Sequence, residues 1–116
     1  MDIKRNVDFI INKKIIQICF SRYQIKLIFD DKILIEIGDS IKYIGKNGTV
    51  QRWSYVENRN VSINSLLEVL VKKDFVDDSE NLKIEFVNGD IVIIEAAKEN
   101  NESYVIYNQN DFQVIC

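Results

Sequence analysis

Three carboxylates stand within four residues at Asp77-Asp78-Ser79-Glu80, and two more are adjacent at Asp30-Asp31. Such clusters are the chain's material for acid–base work, because it contains no histidine. Histidine is the commonest general base near neutral pH and the commonest protein metal ligand. Without it, no Ser-His or Cys-His nucleophile pair can form within this chain. Cys19 and Cys116 are far apart in sequence and do not make a zinc knuckle. Gly45-x-x-Gly48 lacks the following Lys-Ser/Thr and helix that a phosphate loop requires. Asp77-Asp78-Ser79-Glu80 has neither the spacing nor the glycine of an EF-hand calcium loop. No catalytic set, metal or cofactor is expected, and the chain reads as a non-enzyme.

The carboxylates suit other tasks. Aspartate is favoured in turns, where its side chain bonds nearby backbone, and this accounts for Asp30-Asp31. Asp77 and Asp78, with Glu80 beside them, read either as turn residues in the same way or, with no Lys/Arg nearby, as a concentrated negative loop. Glu99 and Glu102 make a second acidic segment. Trp53 and Tyr55 alternate with Arg52 and Ser54 along a strand-like run. Aromatic residues of this kind either cover a core or anchor an interface. The candidate partner-binding residues are therefore Asp77, Asp78, Glu80, Glu99, Glu102, Trp53 and Tyr55. A nucleic-acid partner is not expected, because no dense basic stripe is interleaved with aromatics.

Period-2 alternation supplies the elements that position these residues. Ile25, Leu27 and Phe29 fall on one face, Asp30-Asp31-Lys32 makes a turn, and Ile33, Ile35 and Ile37 fall on one face of the return strand. The pattern repeats about 57 residues later in Asn81 to Phe86, with an Asn88-Gly89 turn and Ile91 to Ile94. The second turn reads as one residue longer. Strand-like runs flank both hairpins, at Ile15–Phe20, Ile41–Ile44 and Val50–Val56, and again at Lys73–Val76, Tyr104–Tyr107 and Phe112–Ile115. The spacing predicts two related antiparallel meanders of about five strands each, over 14–56 and 72–115. Ile63, Leu66, Leu67 and Leu70 have the spacing of an amphipathic helix near 62–71 that joins them. A short helix is also expected over 4–11. The fold class is mostly β (α+β), a single domain over 1–116, packed as a sandwich or an open barrel-like arrangement.

The 116 residues hold 47% apolar and 28% charged side chains and no proline, an ordinary globular composition. Residues 1–61 carry 11 Lys/Arg against 7 Asp/Glu, and residues 62–116 carry 4 against 11, so +4 faces −7. The acidic half is suited to a basic protein partner. Two cysteines are too few for a disulfide framework, so buried Cys19 is expected as a thiol in a reducing compartment. Neither a secretory leader nor a membrane span is expected, and the location reads as cytoplasmic.

The stretch from Lys14-Ile15-Ile16-Gln17-Ile18-Cys19 to Phe29-Asp30-Asp31 resembles the start of a group of small uncharacterised bacterial proteins. Ser65-Leu66-Leu67-Glu68-Val69-Leu70, the strand pair around Phe86-Val87-Asn88-Gly89, and Glu102-Ser103-Tyr104-Val105-Ile106-Tyr107 resemble the same group. Its members are similar to two-unit β proteins encoded beside polymorphic toxins, as immunity proteins are. The resemblance implies stoichiometric occlusion of a cognate toxin domain, and it brings no catalytic residues with it. Toxins that cut nucleic acid tend to be basic, and an acidic inhibitor exploits that charge. The alternative is a structural or regulatory β domain that homodimerises through a strand edge, so the chain is expected as a monomer or homodimer.

Overall fold

The computed structural model describes residues 10–20, 24–38, 40–54, 65–95 and 104–108, with backbone alone at 53–54 and 104–108. The described residues are mostly β. Their strands are β1 (Ile15–Phe20), β2 (Ile25–Phe29), β3 (Ile33–Ile37), β4 (Ser40–Ile44), β5 (Val50–Ser54), β6 (Val71–Val76), β7 (Leu82–Phe86), β8 (Ile91–Glu95) and β9 (Tyr104–Asn108). They pair into two antiparallel sheets, in the orders β1-β2-β3-β9 and β5-β4-β8-β7-β6. The expected strand over Phe112–Ile115 lies outside the described residues. Among the described residues, no helix is long and apolar enough to cross a membrane.

Alternation gives each strand one inward row, because residues two apart face the same side. Ile25, Leu27 and Phe29 of β2 and Ile33, Ile35 and Ile37 of β3 point into the core. Leu82, Ile84 and Phe86 of β7 and Val92 and Ile94 of β8 join them in the same buried cluster. The two sheets therefore share one core.

The chain does not keep its two halves apart, as separate five-stranded meanders would. After Ile37 it leaves the first sheet, and β4 pairs with β8. In return β9 comes back to pair with β3. Each sheet thus holds strands from both halves, because the free edge of each central strand is filled by the fourth strand of the other half.

The second turn is one residue longer by its strand bounds, but the ladders of the two hairpins keep the same register. Ile25 pairs with Ile37 and Leu82 with Ile94, and the second pair lies 57 positions after the first on both strands. The first loop holds Asp30-Asp31-Lys32 and the second Val87-Asn88-Gly89-Asp90, where Phe86 N still donates to Asp90 O at 2.9 Å. In the first, Asp31 and Lys32 take φ of 64° and 62° without help from glycine. In the second, Gly89 takes φ of +98°, and a Cβ there would stand 3.0 Å from Lys46 Cβ. Glycine is required on both counts. One consequence is that Asp90 stands where the first hairpin has Ile33.

The helix expected near 62–71 is absent over 65–71, and 62–64 lie outside the described residues. Val69 N donates to Leu66 O at 3.1 Å, closing one short turn. Glu68 then takes φ of 70° and ends it. Beyond that point the backbone finds partners on the lead-in to β1 instead of on itself. Glu68 N donates to Ile15 O at 2.8 Å, Val71 N to Lys13 O at 2.8 Å, and Asn12 N to Val71 O at 2.9 Å. Leu66 enters the core, while Leu67 and Leu70 stay 37% and 40% exposed, so the spacing marks no helical stripe. A matching turn precedes β1, where Lys13 N donates to Ile10 O at 3.0 Å and Asn12 takes φ of 68°. Of the short helix expected over 4–11, residues 4–9 lie outside the described residues, and Ile10 and Ile11 open this turn.

Cys19 also differs from expectation. It is buried, but it is disulfide-bonded and not a thiol. Disulfides persist in oxidising compartments, so cysteine usage gives no support to a reducing one.

Candidate functional site

The loop between β6 and β7 carries the three clustered carboxylates, and they are not equivalent. Asp77 N donates to Asn81 O at 3.0 Å, and Glu80 N donates to Asp77 O at 2.9 Å. Inside that frame the Asp77 carboxylate is consumed by the loop itself. Its Oδ1 accepts from Ser79 N at 2.9 Å and from Asn81 N at 3.0 Å, and its Oδ2 accepts from Asn81 Nδ2 at 3.4 Å. Asp77 is thus the structural member. Asp78 and Glu80 are exposed, and Glu80 is held at φ of 69°.

An open groove of about 340 Å³ lies against this loop, lined by Phe75, Asp77, Asp78, Ser79 and Lys83. Lys83 Nζ stands 5.5 Å from the centroid of the Phe75 ring, within reach of a cation–π attraction. The groove therefore offers one exposed anion, Asp78, beside the braced Asp77, with one cation and one aromatic face. These groups can hold a partner by charge and contact. Among the described residues, no group of three or more His, Cys, Asp or Glu is placed to hold a metal ion.

Asp77→Ala is expected to lower the unfolding free energy by about 1–2 kcal/mol, because two backbone N–H groups lose their acceptor. Asp78→Ala should stay within about 0.5 kcal/mol of the parent, as exposed substitutions do. Urea titration of the two variants side by side measures the difference. Equal losses would show that the loop does not depend on the Asp77 carboxylate.

The structure does not bring the other candidates to this loop. Trp53 lies on β5 with its backbone opposite Ile41. In the sheet order β5 and β6 are opposite edges, so Trp53 and the acidic loop belong to different ends of one sheet. Tyr55, Glu99 and Glu102 lie outside the described residues.

A second polar cluster escaped the sequence reading. Asp90 is 6% exposed, and its Oδ2 accepts from Tyr43 Oη at 2.9 Å and from Asn88 Nδ2 at 3.2 Å. Its Oδ1 accepts from Lys46 N at 3.0 Å. Burial raises the Tyr43 pKa above its usual 10.0; a Ser65 hydrogen bond opposes this, and the bond to Asp90 and its charge reinforce it. The cluster ties the β4–β5 end of the sheet to the β7–β8 turn. The sequence signal for it was Asp90 in the place of Ile33, hidden by the extra turn residue. On the outer face of the same sheet, Glu95 accepts from Ser40 Oγ and from Arg52 Nη2, both at 2.7 Å.

Comparison with protein-family models, with curated proteins and with solved structures gives no match for this chain.

Proposed function

We propose that this protein is a non-enzymatic binding module of the immunity type, which neutralises a cognate toxin domain by stoichiometric occlusion. The observation that carries the reading is the braced β6–β7 loop. Its Asp77 is spent on rigidity, so Asp78 and Glu80 meet a partner with little ordering cost, beside a groove with Phe75 on its wall. Preorganised charge of this kind steers association with a basic surface and fixes register. The sequence resemblance to toxin-linked β proteins points the same way.

The two-unit reading belongs to this proposal. The ladders β1-β2 and β6-β7 carry the same irregularity, after Ile15 and after Val71. Asn12 and Glu68 repeat the same backbone bond and the same positive φ at positions 56 apart. These matches support a duplicated unit whose fourth strands have changed places. The proposed compartment is the cytoplasm, where a nucleic-acid-cutting toxin has its target.

The deciding experiment is a binding titration of the full chain with the C-terminal toxin domain encoded beside its gene. Asp78→Lys with Glu80→Lys is expected to weaken binding by about tenfold or more at low salt, with folding unchanged. Unaltered affinity at both low and high salt removes the acidic loop from the interface. The homodimer alternative has its footing in exposed Ile16, Leu67, Leu70 and Val87. It requires a doubled mass by light scattering of the purified protein alone.

A further inference from the structure

Two turns of the second sheet are built alike, and each carries an Asn-Gly pair. In the β4–β5 turn, Gly45 N donates to Thr49 O at 2.8 Å, Gly48 N to Gly45 O at 2.9 Å and Thr49 N to Asn47 Oδ1 at 3.0 Å. In the β7–β8 turn, Phe86 N donates to Asp90 O at 2.9 Å, Gly89 N to Phe86 O at 3.0 Å and Asp90 N to Asn88 Oδ1 at 2.9 Å. Gly48 and Gly89 take φ of 96° and 98°. With the backbone matched, any difference in reactivity between Asn47 and Asn88 comes from their surroundings.

The surroundings differ at every reacting group. Asn88 is partly buried, and its Nδ2 also donates to Asp90 Oδ2 at 3.2 Å, so both ends of its carboxamide are held. Gly89 backs onto the neighbouring turn, where Lys46 Cβ would stand 3.0 Å from an added Cβ. Asn47 is exposed, and among the described residues its carboxamide is held through Oδ1 alone. Nothing lies within 4 Å of a Cβ built at Gly48. The first turn also leads into β5 at the end of its sheet order, whereas the second joins two interior strands. Turns at sheet edges open at lower free energy than those inside.

We propose that Asn47-Gly48 is a site of spontaneous covalent modification, deamidation through a cyclic imide, and that the Asp90 cluster protects Asn88-Gly89 from the same reaction. Gly48 N leaves Gly45 O and bonds to Asn47 Cγ. The Cγ–Nδ2 bond breaks, and Nδ2 departs as ammonia with the proton from Gly48 N. Glycine suits the step, because no Cβ shields its nitrogen. Water then opens the imide at either carbonyl, giving aspartate or isoaspartate at position 47 and adding one negative charge to the formal −3. The open space at Gly48 accepts the altered backbone. At Asn88 the same product would set a second carboxylate against buried Asp90, which the fold tolerates poorly.

The test follows both sites in the full chain. Folded protein is held in mildly alkaline buffer beside a sample unfolded in urea, and both are briefly digested with trypsin. Asn47 is read on peptide 47–52 and Asn88 on peptide 84–98. Mass spectrometry counts lost carboxamide, and chromatography separates aspartate from isoaspartate. The two peptides should convert at similar rates in urea, and folding should raise the ratio of Asn47 to Asn88 conversion by about tenfold or more. A ratio that folding leaves unchanged or reverses overturns the proposal, as does a folded chain in which neither site converts while the unfolded sample reacts. Two variants check the cause of the protection. Asn88→Asp should lower the urea midpoint, and Asn47→Asp should leave it unchanged. A fall of equal size in both removes the Asp90 cluster as the source of the difference.

Discussion

Replacing Phe86 with alanine is expected to lower the unfolding free energy by about 3–5 kcal/mol. Phe86 is 1% exposed at the end of β7, and Phe29 is 0% exposed at the end of β2. Both rings lie in the one cluster that the two sheets share. Truncation removes the transfer free energy of the ring and leaves a void that neighbouring strands, fixed by their ladders, fill only in part. Phe29→Ala should cost a similar amount, because it occupies the matching place before the matching turn. Domains of this size are stable by only about 5–15 kcal/mol, so either variant will be marginal and the double variant should not fold. Urea unfolding followed by tryptophan fluorescence and circular dichroism gives the numbers. Val87→Ala is the control, since Val87 is 56% exposed and should cost less than about 0.5 kcal/mol. A loss below about 1 kcal/mol at either phenylalanine would mean that the sheets do not close on each other there.

Asp90→Ala should be the most damaging polar change, at about 3 kcal/mol or more. The carboxylate is the shared acceptor for Tyr43 Oη, Asn88 Nδ2 and Lys46 N. Its loss leaves the buried Tyr43 hydroxyl with its Ser65 bond alone and takes the acceptor from the Lys46 N–H, and each lost acceptor costs about 1–3 kcal/mol. Tyr43→Phe removes a single donor and should cost about 1–2 kcal/mol. The two losses should add to more than the loss in the double variant, since they break a bond in common. The same cluster makes a pH prediction. Tyr43 is held neutral in the fold, with its pKa raised from 10.0. Above pH 10 the unfolded chain gives up this proton before the folded one does, so stability falls with rising pH. The contribution is complete below pH 10 and disappears as the pH passes the folded value. Tyr43→Phe should flatten that alkaline decline, and an identical slope in parent and variant counts against a buried Tyr43.

Strand identity was legible in the sequence because alternation is a local property. Ile25-Lys26-Leu27 and Leu82-Lys83-Ile84 each declare an inward row without reference to the rest of the chain. The turns were legible for the same reason, since Asp30-Asp31-Lys32 and Asn88-Gly89 carry their own backbone preferences. Asp77, Asp78 and Glu80 were found as a group by their crowding, although not the division of labour among them. That division depends on which oxygen meets which N–H.

Partnership between strands was decided only in three dimensions. Alternation says which way a side chain points but not which strand lies alongside, so the pairing of β3 with β9 and of β4 with β8 was invisible. The segment 65–71 shows the opposite failure. Its leucines have helical spacing, but the backbone at Glu68 and Val71 bonds to Ile15 and Lys13, and those bonds win over a local preference worth tenths of a kcal/mol per residue. Asp90 depends on the same long-range placement, because a carboxylate can replace Ile33 in a core only where Tyr43, Lys46 and Asn88 arrive together to satisfy it. Short-range patterning thus set the strands and their faces, while the neighbours each strand acquired set the topology, the buried polar tie and the loop that presents Asp78 and Glu80.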